Sequence, residues 1–198
     1  IEAAAQANTA NATSPSVAQY DALGVTGVDA NNLAAINSAL NDADITGTQA
    51  NTAAKVQAIV DGYNAILTNA DGTANNASNP SQANYAAIGV NGVDSAVEVS
   101  LLGDVIDAKA RTAVDTADKV QALADDVQAV MNAAGLTAGT TSTLTKAQLE
   151  ALGITGVTDD NLSAIRAAIV ATRDDGADVD TLGELQTVVT NAANAASA

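Results

Sequence analysis

The stretch Tyr20–Val28 reads YDALGVTGV, and it returns as YAAIGVNGV from Tyr85 and as LEALGITGV from Leu149. Its central glycines, Gly24, Gly89 and Gly153, are spaced 65 and 64 residues apart. The register holds downstream: KVQAIVDGYNAI (Lys55–Ile66), KVQALADDVQAV (Lys119–Val130) and ELQTVVTNAANA (Glu184–Ala195) follow their glycines by 31, 30 and 31 residues. Upstream, Pro15 and Pro80 each precede theirs by nine. A pattern that keeps phase at both ends is a tandem repeat of one supersecondary unit. Whatever one copy folds into, the chain must fold into three times. The expected copies are residues 14–70, 79–134 and 143–195, with 1–13 the end of a preceding copy and its linker. Because Ile1 aligns with Ile66 and Val130, the sequence is expected to be part of a longer array.

Periodicity predicts three helices per copy. The first covers 17–23, 82–88 and 146–152 and opens with Ser16-x-x-Gln19, Ser81-x-x-Asn84 and Thr145-x-x-Gln148. Two of these are capping boxes, and the Asn84 version is a near-miss. Gly24, Gly89 and Gly153 end it, each followed by an apolar Val25, Val90 or Ile154 that can fold back onto the helix. Asp29, Asp94 and Thr158 then stand where the N-cap of a second helix belongs. That helix carries Leu33, Ile36 and Leu40, or Leu162, Ile165 and Ile169, at i, i+3, i+7 spacing. The middle copy departs, with Glu98 in place of the first Leu and Val97 as its substitute. The third helix presents Val56, Ile59, Val60, Tyr63 and Ile66, then Val120, Leu123, Val127 and Val130, then Leu185, Val188 and Val189, with Thr181-x-x-Glu184 as a capping box. The segments DGTANNASNPS (71–81) and GLTAGTTSTLT (135–145) read as short flexible linkers. The expected architecture is all-α: three small three-helix bundles in tandem, or alternatively a continuous helical solenoid whose neighbours share apolar surface.

Each copy is small, and a unit of about 60 residues is marginal even when well packed. There is no Phe, Trp, Cys or His, so the core must come from Leu, Ile and Val, with Tyr20, Tyr63 and Tyr85 as the only rings. The net charge of −16, from 23 acidic and 7 basic residues, repels phosphate backbones and anionic lipid surfaces and so excludes nucleic acid as a partner. It is spread evenly along the chain, which fits a solvated acidic exterior. Without cysteine there are no disulfides or thiolate metal sites. No uninterrupted apolar run approaches the roughly 18 residues of a membrane span. IEAAAQANTANATS lacks the basic start and apolar block of a signal peptide, so an export signal is expected to lie outside the sequence.

Catalysis finds little to work with. Lacking His and Cys, a nucleophile would need Lys or a carboxylate as its base. Lys55, Lys109, Arg111, Lys119, Lys146, Arg166 and Arg173 are scattered on predicted polar helix faces. No catalytic, cofactor or metal site is assigned, and no enzyme activity is expected. Asp174, Asp175, Asp178 and Asp180 supply the hard oxygens that calcium favours. They miss the EF-hand order, however, and the aligned loops 41–51 and 107–115 lack the cluster. A solvated loop is expected. The sequons at Asn11, Asn76 and Asn161 matter only in a host that glycosylates asparagine.

With the helices placed, ALGITGVTDDNLSAIRAAIV followed by TLGELQTVV (Ala151–Val170, Thr181–Val189) resembles the GA-like modules of bacterial surface proteins, which are similar to the albumin-binding three-helix GA module. The resemblance covers each copy and is strongest in the Leu-Gly-Val/Ile turn and the second helix. It implies a small left-handed three-helix fold within a large, repetitive, extracellular adhesin at the bacterial cell surface. It does not extend to albumin: where those modules place aromatic side chains, this sequence has VDANN, VDSAV and VTDDN, and aromatic anchors dominate such interfaces. The expected function is therefore a structural spacer that packs against neighbouring repeats. A module binding a host or matrix protein, or a self-assembling surface layer or filament, are the alternatives.

Overall fold

The computed structural model describes residues 1–5, 14–74 and 78–197. Most of the linker expected in 1–13, and the sequon positions Asn11 and Asn76, lie outside the described residues. Among those described, the long elements are all helical: α1 (Val17–Asp21), α2 (Leu33–Leu40), α3 (Ala53–Asn69), α4 (Gln82–Ala87), α5 (Ala96–Asp107), α6 (Ala117–Ala134), α7 (Lys146–Ala151), α8 (Leu162–Val170) and α9 (Leu182–Ala196). Short 3-10 turns occur at Glu2–Ala4, Gly47–Gln49 and Arg111–Ala113, and one isolated antiparallel bridge joins Asp71 to Ala110. The chain is all-α, as its periodicity requires.

The recurring phrase closes a helix in the same way three times. Gly24, Gly89 and Gly153 take φ of 74°, 89° and 96°, a region a side chain resists. Their N–H groups donate to Asp21 O, Ala86 O and Glu150 O. The next N–H groups, of Val25, Val90 and Ile154, reach back to Tyr20 O, Tyr85 O and Leu149 O at 3.1, 3.1 and 3.0 Å. This pair of bonds is the Schellman motif, which satisfies carbonyls a helix end leaves orphaned. Val25, Val90 and Ile154 are buried as plugs. The motif takes up the last turn, so α1, α4 and α7 end one or two residues earlier than their apolar pattern suggests.

The helix starts correct two expectations. All three first helices form capping boxes, including the one with Asn84, whose Oδ1 accepts from Ser81 N–H at 2.8 Å despite its shorter side chain. The second helices do not begin at Asp29, Asp94 and Thr158. Asp29 Oδ1 accepts from Asn31 N–H and Asn32 N–H and shapes a turn, after which Asn32 stands at the N-cap of α2. Asn161 does the same for α8. In the middle copy Glu98 is no failed core residue: its carboxylate accepts from Asp94 N–H and Ser95 N–H, while Ser95 Oγ accepts from Glu98 N–H. The polar side chain completes a capping box at the start of α5.

Two compact units divide the chain. The first comprises Ile1–Val93 and Ile106–Ala122, the second Asp94–Val105 and Leu123–Ala198, so the division runs through the second copy of the repeat. In the first unit, Tyr20, Ile36, Leu40, Val60, Tyr63, Ile66, Tyr85 and Ile88 are fully buried. Here α3 packs on α4, and Gly62 is where they meet: a Cβ on it would lie 2.7 Å from Asn84 O. Tyr63 Oη donates to Val114 O at 3.0 Å, Arg111 Nε to Leu67 O at 2.8 Å, and Ala117 N–H, at the start of α6, to Ser38 Oγ at 3.0 Å. Each of these bonds ties one copy of the repeat to the next. In the second unit, Leu101, Leu149, Leu152, Ile165, Ile169, Leu185 and Val189 form the core. There Asp104 Oδ2 accepts from Leu182 N–H at 3.1 Å, so the second helix of one copy again caps the third helix of the next.

The tyrosines differ in one respect that the fold exposes. Tyr20 Oη donates to Asn37 Oδ1 at 2.8 Å, and Asn37 Nδ2 donates to Pro15 O at 2.9 Å. In the third copy Leu149 replaces the tyrosine, and Arg166, in the place of Asn37, donates from Nε to Leu144 O. In the second copy the corresponding position is Leu102, a side chain without a polar atom. The Tyr85 hydroxyl is buried and has no hydrogen-bond partner. Tyr20→Phe should therefore cost about 1 kcal/mol, and Tyr85→Phe should be neutral or stabilising by about 1 kcal/mol, because only the former breaks a made bond. Urea midpoints of the two variants check the contrast.

Candidate functional site

The phrase YDALGVTGV has an unexpected partner. Gln57, in α3, accepts from Thr26 N–H at 2.9 Å through Oε1 and donates to Thr26 O at 3.0 Å through Nε2. Gln121 makes the same pair with Asn91 (2.8 and 3.2 Å), and Gln186 with Thr155 (2.9 and 3.1 Å). A primary amide has one donor and one acceptor side, which matches the N–H and C=O of a single residue. Asn32 adds a second clamp in the first copy, donating to Gly27 O at 2.7 Å and accepting from Asp29 N–H at 2.7 Å. Asn161 repeats it on Gly156 O and Thr158 N–H. The polar groups of the turn between the first two helices are thus taken up by amides from the second and third. The signal was present in the sequence as the fixed third residue of KVQA, KVQA and ELQT. Apolar periodicity passes over it because the glutamine sits on the solvent side of the stripe.

The third helices share a further element. Thr52, Thr116 and Thr181 each accept at the side-chain oxygen from the N–H three residues on, at 3.2–3.3 Å. Glu184 does not complete the expected capping box; its carboxylate accepts from the Thr181 hydroxyl instead of the backbone. Lys55 Nζ donates to Thr48 O and Asn51 Oδ1, and Lys119 Nζ to Thr112 O and Asp115 Oδ1. Glu184 holds the corresponding position in the third copy and faces Asp180 instead of a neutralising partner.

The acidic loop is not gathered around a shared centre. Asp175 pairs with Arg173 at 2.8 Å and accepts from Ala177 N–H, which lowers its carboxyl below the usual range. Asp178 Oδ2 accepts from Arg173 N–H at 3.1 Å. Asp180 lies instead beside Glu184 and Asp104. Among the described residues no group of three or more carboxylates is placed to hold a metal ion. The basic residues are also more committed than a scatter on helix faces implies. Arg111 and Arg166 are fixed on backbone carbonyls, and Lys109 and Arg111 lie outside the α-helices, with the Lys109 ammonium lowered by burial.

Three clefts open on the surface of the described residues. One of about 180 Å³ in the first unit is lined by Thr68, Asn79, Pro80 and Asn84 among others. One of about 190 Å³ in the second unit holds Ser142, Ser163 and Arg166. The serine hydroxyls there have no base to activate them, since the guanidinium stays protonated and the Ser142 hydroxyl already accepts from Leu144 N–H. The largest, about 290 Å³ in the first unit, is mostly apolar, with Ile45, Ala58, Ile59, Ala86 and Ala87 below Lys55 and Gln49. Pockets for drug-sized molecules begin near this volume, at about 300 Å³, and the polar side chains here are Thr48, Gln49 and Lys55, of which Lys55 is already bonded to Thr48 O and Asn51.

Two outcomes test this geometry. Replacing Gln57, Gln121 or Gln186 by Ala should each cost about 1 kcal/mol, since two partly exposed hydrogen bonds are lost, and the three losses should add because the sites are separate. Denaturant midpoints and amide exchange at Thr26, Asn91 and Thr155 report both. The second concerns pH. Asp42, Asp126 and Asp180 all have carboxyls raised above 3.8, chiefly by burial, and for Asp180 also by Glu184 and Asp104. The folded state then holds these protons more tightly than the unfolded state, so stability falls as pH rises from about 4 through the raised values. The urea midpoint should be higher at about pH 4 than at pH 7, and Asp180→Asn should raise it at pH 7 while flattening the profile.

Compared with known proteins, the chain matches no family model, no curated protein and no solved structure.

Proposed function

We propose that this chain is a tandem of three GA-like three-helix modules serving as a structural spacer within a large extracellular adhesin of a bacterial surface. The observation that carries the reading is the threefold Gln–corner clamp. Every copy of the repeat spends its most invariant polar residues on holding its own helices together. Binding modules place their distinctive side chains outward, where a partner reaches them. Ties such as Ser38 to Ala117 and Asp104 to Leu182 join successive copies, as an extender that bears load requires. The charge of −16 gives each copy an exterior that resists collapse onto its neighbours. The remoter alternative, capture of a host or matrix protein, has only the apolar cleft at Ile45 and Ile59 to recommend it.

Concatemers carrying increasing numbers of the repeat decide the matter by small-angle scattering. A spacer predicts that the maximum dimension grows by a constant increment per copy, whereas a globular assembly would follow the much slower power law of compact chains, with an exponent of about 0.38. Compact growth, or saturable binding of a host matrix protein abolished by substitution of the exposed cleft residue Ala58→Asp, would overturn the spacer reading.

A further inference from the structure

One contact recurs in all three copies. In the repeat register Gly47, Arg111 and Gly176 are equivalent, each in the loop between a second and a third helix. Glu2, Leu67 and Met131 are equivalent too, in the register of the last turns of a third helix. The two sets meet pairwise. A Cβ on Gly47 would lie 3.4 Å from Glu2 Cγ, and Arg111 Nε donates to Leu67 O at 2.8 Å. A Cβ on Gly176 would lie 2.7 Å from Met131 Sδ and 3.6 Å from Val97 Cγ2. Gly176 is buried with φ of 75°, so its loop passes directly over the sulfur, where a side chain has no room. Val179 N–H then donates to Gly176 O, as Ala50 N–H does to Gly47 O and Val114 N–H to Arg111 O. Loop and helix end form one joint, built three times around a different side chain.

The side chains in the joint differ in reactivity. Leu67 is inert and only 4% exposed, whereas Met131 is half-exposed and is the single methionine of a chain without Cys, Trp or His. Its thioether is the most readily oxidised group present. Both sides of its joint, α6 and the loop at 171–181, belong to the described chain and to the second unit. We propose that Met131 is an oxidation site, at which a peroxide loosens the joint between the second and third copies. A lone pair on Sδ attacks one peroxide oxygen, so that an S–O bond forms as the O–O bond breaks. The sulfur gives up two electrons, and hydrogen peroxide is reduced to water. The apolar thioether becomes a larger, polar sulfoxide, which a sulfoxide reductase can reverse. The new oxygen must enter a contact without space for a methyl group, and overfilling such a contact pushes its neighbours apart. It also finds no donor in the turn. The N–H groups of Gly176, Ala177 and Val179 already donate to Arg173 O, Asp175 Oδ1 and Gly176 O. A buried acceptor left without a partner adds to the cost.

Hydrogen peroxide acting on the folded whole chain tests this, with intact mass and peptide mapping to follow the gain of one oxygen at Met131. Complete oxidation should lower the urea midpoint and speed amide exchange at Val179 about tenfold. Ala50 and Val114, at the equivalent places in the other two joints, should keep their rates. Treatment with sulfoxide reductase should restore both the midpoint and the Val179 rate. Met131→Leu, which copies Leu67, should fold normally and be indifferent to peroxide in both measurements. Met131 that stays unoxidised in the folded chain, under conditions that convert free methionine, would overturn the proposal. So would full oxidation that leaves Val179 exchange unchanged, or a Met131→Leu chain that responds to peroxide as the wild type does.

Discussion

The corner that ends each first helix is the constraint on which the rest depends. A Schellman closure turns the chain at Gly24, Gly89 and Gly153 and drops Val25, Val90 or Ile154 into the core. Such a turn leaves a short stretch of backbone whose N–H and C=O groups lie near the surface but beside a packed helix. A glutamine from the third helix takes both groups of one residue at once. The corner thereby fixes the third helix against the first without any large side chain. That economy suits a chain with no Phe or Trp.

The thin core has a second consequence. Copies of about 60 residues bury too little apolar surface to stand far above marginal stability, and the structure lets consecutive copies share. Gly62 admits Asn84 at close range, Tyr63 reaches Val114, and side chains of the second helices, Ser38 and Asp104, cap third helices belonging to the next copy. The compact units accordingly do not coincide with sequence copies. In an array of this kind stability resides partly in nearest-neighbour terms, as in repeat proteins generally.

Variation among the copies follows the same logic. Where the first copy pairs Tyr20 with Asn37, the third uses Leu149 and sends Arg166 to the backbone, and the second leaves the Tyr85 hydroxyl without a partner. Where Lys55 and Lys119 tie down the turn ahead of α3 and α6 through the Thr48 and Thr112 carbonyls, Glu184 stands beside Asp180. These substitutions alter local stability and its pH response but leave the corner intact. The acidic loop at 174–180, which by composition suggested a cation, is divided between an Arg173 pair and a separate carboxylate cluster.

Much was legible in the sequence because it is set by local chemistry. Helical periodicity, glycine at positive φ, Ser and Thr caps and the buried faces of α3, α6 and α9 follow from residues a few positions apart. The N-caps of the second helices were misplaced by one to three residues, since Asp29 shapes a turn that runs into Asn32. The Gln clamp was passed over because its partner lies 31 residues away in the first copy. By itself the sequence determined an all-helical repeat with a glycine corner in each copy. Tertiary structure alone decided which amide closes that corner and that successive copies share their packing, because both depend on groups brought together from different helices, where spacing along the chain carries no information about distance.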